Sequence, residues 1–257
     1  MHVSLARSWK RLLGGLPVLG MLFVGLGCSP APDLGQTTVE NTYQIAVDAA
    51  ARGDYLLAIE AFRRVTAEDP LGEFADDALL GLADAHRATK DFAPADEEYR
   101  QLVTDYPRSP LVPDAEYKLG LSMSEQSLPA SLDQEMTKTA ITQLERFIAD
   151  YPESPLVSDA RAKVAELRSR LAEKDYASAM LYFTLGSPGA ARIYLESVAS
   201  GYPDTVWARK ALLEEARSFA REGAAESAAT AYRRLLSLYP DTEEAGIAAA
   251  EIGPQKP

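Results

Sequence analysis

The chain of 257 residues carries 26 Lys and Arg against 38 Asp and Glu, a formal charge of −12, with two histidines and one cysteine. An acidic, evenly mixed surface argues against nucleic-acid binding, which needs clustered Lys and Arg, so no nucleic-acid partner is expected. One Cys and two His leave a Cys/His metal site short of ligands, and no Gly-rich phosphate loop occurs; neither metal, cofactor nor catalysis is expected.

The first element has a basic start, Arg7, Lys10 and Arg11, then a mostly apolar run from Leu12 to Gly27 broken by Pro17 and several glycines. A membrane-spanning helix wants roughly 20 apolar residues, so this shorter run reads as a signal-peptide core. Small Gly27 precedes Cys28, and "FVGLGCSPAP" resembles the lipobox of bacterial lipoproteins, with Gly25 where Leu, Val or Ile is usual. The resemblance implies removal of residues 1–27 and an S-diacylglycerol and N-acyl group on Cys28, which has no disulfide partner in the chain. An ordinary secretory peptide with an incidental cysteine is the alternative. Ser29, where retained lipoproteins carry Asp, favours the outer membrane by the same resemblance. Removing residues 1–27 takes the formal charge from −12 to −15. Residues 28–39, rich in proline and small polar groups, read as a lipidated tether.

Beyond the tether the chain repeats itself. Prolines at 70, 107, 152, 203 and 240 close similar segments. Twelve residues before each stands an alanine (Ala58, Ala95, Ala140, Ala191, Ala228), and eight before each a large residue (Phe62, Tyr99, Leu144, Leu195, Tyr232). The pattern predicts helical hairpins: alanine lets two helices approach, the large side chain fills the space beside it, and proline stops the helix. Ala75, Ala78, Leu79, Leu82 and Ala83 share one face, as do Tyr55, Ala58, Ile59, Phe62 and Val65. Breaks within hairpins fall at "RGDY", "TKDF", "LGSP" and "REGA", and no run alternates with period two. The spacing resembles the tetratricopeptide repeat. The predicted fold is all-α: a right-handed superhelix, or α-solenoid, of about five such hairpins.

Proline spacings of 37, 45, 51 and 37 exceed the usual repeat of about 34 residues. The first enlargement puts "SEQSLPASLDQEMTKTA" before the helix bearing Ala140, and the second extends a helix from about Ser154 into Thr184. With the "YPDT" closure at Tyr202 to Thr205 and the pair Asp133–Gln134, these features resemble the BamD family, the outer-membrane lipoproteins of the β-barrel assembly machinery. Leu171, Ala172, Tyr176 and Tyr182 match the end of that family's long helix. The resemblance implies a non-enzymatic scaffold on the periplasmic side of the outer membrane. Its partners would be a BamA-like β-barrel assembly protein, accessory lipoproteins and unfolded outer-membrane protein substrates. It also implies that residues 40–108 form the substrate-binding half and 109–252 the partner-docking half. Another lipidated adaptor, such as a secretin pilotin or a cell-division or envelope coordinator, is the alternative.

In repeats of this kind the first helices line a groove. Counting back from Pro70 and Pro107 puts Tyr43, Val47, Leu80, Asp84 and Arg87 there, with Arg87 placed to meet a carboxylate and Leu80 or Tyr43 an aromatic ring. The same positions also serve ordinary helix packing. Tyr43 and Val47 stand where a chaperone-type clamp needs Lys and Asn, which disfavours that ligand class. His86, at a core position, is expected to be buried and hydrogen-bonded. Asp133 and Gln134 either cap the following helix or touch a partner, and Trp207 either packs between helices or anchors a partner. "TEEAGIAAAEIG" reads as a capping helix, and residues 253–257 as a disordered tail.

Overall fold

The computed structural model describes residues 37–252. The expectations for Cys28, the signal segment and the tail 253–257 lie outside the described residues. Eleven helices follow one another, with no strand among the described residues. They are α1 (Val39–Ala51), α2 (Tyr55–Glu68), α3 (Ala75–Ala88), α4 (Phe92–Asp105), α5 (Val112–Glu125), α6 (Glu135–Asp150), α7 (Val157–Thr184), α8 (Pro188–Gly201), α9 (Val206–Arg221), α10 (Ala225–Leu238) and α11 (Glu243–Ile252). Each helix packs on the next, giving five hairpins in series with α11 closing the last. This is the α-solenoid that the proline phasing predicts. First helices of neighbouring hairpins also touch, α1 with α3 and α7 with α9, whereas no pair of second helices comes as close. First helices therefore line the inner face and second helices the outer one.

The predicted alanines and their large partners are all core. Ala58, Ala95, Ala140 and Ala191 are fully buried, and Phe62, Tyr99, Leu144, Leu195 and Tyr232 lie beside them at 5 % exposure or less. Close approach also explains Gly120 on α5: a Cβ there would sit 2.5 Å from Cδ2 of Leu144 on α6. In three hairpins the turn places a glycine in the left-handed region, Gly53, Gly186 and Gly223 at φ +77, +72 and +76. In "TKDF" the same place is taken by Lys90 at φ 62, an uncommon conformation for a residue with a side chain.

Successive hairpins are tied at the opposite edge by their own closing motifs. The Tyr106 hydroxyl donates to the Pro70 carbonyl at 2.6 Å, and the Tyr239 hydroxyl to that of Pro203 at 2.7 Å. Both ties span the regular proline spacing; neither enlarged hairpin has one among the described residues.

The first enlargement is a loop at 126–134 that folds around one side chain. Gln134, 3 % exposed, sets the two N–H groups of its Nε2 among the carbonyls of Leu128, Pro129, Leu132 and Asp133, 2.8 to 3.3 Å away, while its Oε1 accepts from Thr137. The second enlargement is α7 itself, starting at Val157 rather than near Ser154 because the Ser154 hydroxyl and Pro155 shape the turn before it. Its apolar residues form two stripes. Ala160, Val164, Leu167 and Leu171 join a cluster reaching back to α3, while Ala172, Tyr176, Ala179 and Phe183 join Leu195, Val198 and Ala211 beyond it. One residue's offset, from 171 to 172, turns the buried face by about 100°. The cluster from Leu79 to Leu171 also crosses residue 108 without a break, so the halves 40–108 and 109–252 share one core.

Candidate functional site

The inner face of the first two hairpins carries most of the predicted groove residues. Tyr43 on α1 stacks on Phe74 with centroids 4.8 Å apart and meets the edge of Phe62 at 6.1 Å. Burial, then Asp77 and Asp76, push its hydroxyl up from the usual tyrosine range. Val47 is half-buried on the same helix. Leu80 is turned into the core at 9 % exposure, so it offers no surface to a ring; the ring-contact position that remains is Tyr43.

The two charged positions are engaged by the next hairpin. Asp84 accepts from the Tyr99 hydroxyl at 2.6 Å and from Lys118 Nζ at 2.7 Å. Lys118 also meets Asp114 at 2.8 Å, one turn back on α5. Burial works to lower the Lys118 ammonium, but Asp84 and Asp114 outweigh it and hold the pKa above its ordinary value. Burial, then Asp84, push the Tyr99 hydroxyl up. Arg87 meets Glu125 at 2.6 Å and is raised as well: burial opposes it, while Tyr99 and Glu125 favour the charged form. Arg87 does meet a carboxylate, one supplied by α5. A carboxylate-bearing ligand would have to displace Glu125, a surface pair contributing roughly 0–1 kcal/mol. Sequence reasoning missed Asp114, Lys118 and Glu125. The Asp114–Lys118 spacing of one turn was the available signal; which residue of α3 they meet depends on the stagger between hairpins.

His86 is buried at 4 % exposure and hydrogen-bonded, as expected. Its Nδ1 lies 2.7 Å from Glu98 Oε2 and its Nε2 3.3 Å from Arg63, tying α2, α3 and α4 together. Burial pushes Glu98 up, and its bond to His86 works against that.

The remaining candidates lie elsewhere. Asp133 is exposed, and its Oδ1 accepts from the Glu135 amide at 2.9 Å, a helix-start contact. The Gln134 side chain is committed to the loop it organises. Lys174 on α7 donates to the Leu132 carbonyl at 2.7 Å, fixing that loop to the long helix. Trp207 is half-buried between Tyr176, 5.2 Å away, and the Lys210 ammonium at 4.7 Å. Among the described residues no His, Cys, Asp and Glu side chains group as metal ligands would, and no helix is long and apolar enough to cross a membrane.

Comparison with known proteins adds to this geometry. The family model "YfiO: Outer membrane lipoprotein" matches residues 35–235. The outer membrane protein assembly factor BamD of Vibrio cholerae is 28 % identical over 243 residues, covering 89 % of this chain and 98 % of that protein. Its counterpart of the same name from Caulobacter vibrioides is 26 % identical over 190 residues, covering 74 % of this chain and 62 % of that protein. Among solved structures, a putative kinesin light chain with TPR-like repeats from Podosopora anserina is 16 % identical, covers 78 % of this chain and 93 % of its own, and has a TM-score of 0.40. A thermophilic TPR protein of Thermus thermophilus is 20 % identical, covers 84 % and 98 %, and has a TM-score of 0.36.

Proposed function

The chain belongs to the YfiO family of outer membrane lipoproteins, and from this premise we propose that it is a lipid-moored scaffold for folding and inserting β-barrel proteins into the outer membrane. Acyl chains on Cys28 hold it at the periplasmic face. Each buried methylene contributes about 0.8 kcal/mol and a single chain binds only reversibly, so the two or three chains of a lipoprotein make the mooring stable. The first two hairpins, residues 40–108, receive unfolded barrel substrates along the face carrying Tyr43, Val47, Asp84 and Arg87. The hairpins of residues 109–252 dock on the periplasmic part of a BamA-like barrel protein and on accessory lipoproteins, with Asp133 and Trp207 as contacts.

End-to-end alignment with the Vibrio cholerae assembly factor carries this reading, because it spans the insertion and the long helix as well as the repeats. Affinity purification of the full-length protein from mildly solubilised envelopes tests it. A large barrel protein with periplasmic repeats is the expected prey. Recovery of a secretin in its place would overturn the proposal in favour of the pilotin reading.

A further inference from the structure

Two closing motifs in this chain are near copies. "DYPRSPLVPDA" at 105–115 and "DYPESPLVSDA" at 150–160 agree at nine of eleven positions, differing at Arg108/Glu153 and Pro113/Ser158. The solenoid stacks them on one edge, and the first copy is stitched to the hairpin before it. Tyr106 donates to the Pro70 carbonyl, and the Ser109 hydroxyl donates to Asp76 at 2.6 Å. The second copy repeats neither stitch among the described residues. The acceptor corresponding to Asp76, six residues beyond the closing proline, is here Pro113, whose side chain cannot accept a hydrogen bond. Ser154 keeps only the local contact, accepting from the Leu156 amide at 3.3 Å as Ser109 does from the Leu111 amide at 3.1 Å, and the Tyr151 ring leans on Phe147 at 5.7 Å.

The unstitched seam is an open cleft of about 530 Å³. Its apolar wall is Pro110, Pro113, Tyr151, Pro152, Pro155 and Leu156. Proline fixes φ, so four of these six residues are held in place before any ligand arrives. Around it stand the carboxylates of Asp114, Asp150 and Glu153, and no lysine or arginine lines it. Asp114 is shared with Lys118 and Arg146 is taken by Glu116, while Asp150 and Glu153 make no ion pair among the described residues. Burial, followed by Glu116 and Asp150, pushes the Tyr151 hydroxyl up, in keeping with negative potential at the wall.

We propose that this cleft is a docking site for an extended basic segment of a partner polypeptide, in which a lysine or arginine meets Asp150 and Glu153 and a neighbouring proline or aliphatic residue lies on Tyr151 and the proline wall. Apolar walls built from prolines and a tyrosine favour extended, proline-rich chains, which lose little conformational freedom on binding. The chain's formal charge of −12 attracts a cationic segment from a distance. This holds whichever machinery the scaffold serves.

The test uses the full-length protein in non-ionic detergent and a fluorescein-labelled decapeptide alternating proline, lysine and leucine, read by anisotropy. Binding should be saturable and weaken about threefold between roughly 50 and 300 mM salt. Asp150→Asn combined with Glu153→Gln should weaken it about fivefold. Glu97→Gln combined with Asp105→Asn, an equal loss of charge outside the cleft, should leave it within about twofold. Melting curves of both doubles keep misfolding apart from lost binding. Equal binding of a glutamate-for-lysine peptide, or equal loss in the two doubles, would overturn the proposal. So would no peptide binding at all together with a cleft double that loosens the protein on phosphatidylethanolamine vesicles, which would make the cleft a lipid contact.

Discussion

Lys90 holds a conformation that the other hairpin turns reserve for glycine. Gly53, Gly186 and Gly223 occupy the equivalent turn position at similar positive φ. A side chain there crowds the following carbonyl, at a cost of roughly 1–2 kcal/mol, while glycine gives back part of that through greater freedom in the unfolded chain. Crowding wins, and Lys90→Gly should raise stability by about 0.5–1 kcal/mol. Urea unfolding with an unchanged slope would read this directly; a destabilised variant would mean that the Lys90 side chain makes a compensating contact. Three of the four turns were legible because glycine announces them. At "TKDF" only Asp91 hinted at the break, and the strained residue is its neighbour. The Asp84–Lys118 and Arg87–Glu125 pairs were illegible for another reason. Each joins residues more than thirty positions apart, and their meeting depends on how far one hairpin is shifted along the next.

At the scale of elements, α11 shows how a short, alanine-rich end helix is held. Ala245 and Ala248 give it a small buried face, Ile247 and Ile252 pack beside it, and polar contacts add to this. Glu251 accepts from Arg217 on α9 at 2.6 Å and from the Tyr232 hydroxyl on α10 at 2.6 Å, while Glu244 pairs with Arg209 at 3.3 Å. The Arg217 hydrogen bond holds the Glu251 carboxyl below its ordinary value of 4.5, with burial opposing and Tyr232 assisting. A carboxyl that titrates lower when folded stabilises fully above its unfolded value and loses that contribution as the pH falls through the folded one. Glu251→Gln should therefore cost at most about 0.5 kcal/mol at neutral pH, the pair being solvent-screened, read as faster amide exchange in α10 and α11, with the deficit shrinking as the pH falls below 4.5. A deficit that survives acidification would mean that the carboxylate charge is not what latches the helix. The cap itself was legible from "EEAGIAAAEIG", since a run of alanines must cover something apolar. Its latch was not, because Arg217 and Tyr232 sit on helices whose facing sides only the hairpin geometry sets.

Across the whole molecule, each hairpin packs on its neighbours in series, so stability is close to a sum of local terms and need not be lost everywhere at once. The two stripes of α7 make that concrete. Its first half belongs to the cluster that begins at Leu79, and its second half to the cluster around Leu195, with Tyr202 touching both. The long helix is thus shared property: breaking one cluster leaves the other half of α7 still packed. Leu195 is fully buried between α7 and α9, and replacing it by alanine removes its apolar area and leaves a cavity costing about 2–5 kcal/mol. In a compact domain that loss would appear at every core amide. Here Leu195→Ala should speed hydrogen exchange chiefly in α8, α9, α10 and the second half of α7, while α2 to α5 keep protection close to that of the parent. Equal loss in α3 and α9 would show the solenoid unfolding as one unit. Confinement beyond residue 171 would mean that a partner docked on the later hairpins can reshape them without disturbing the inner face of the first two, where Tyr43, Asp84 and Arg87 stand.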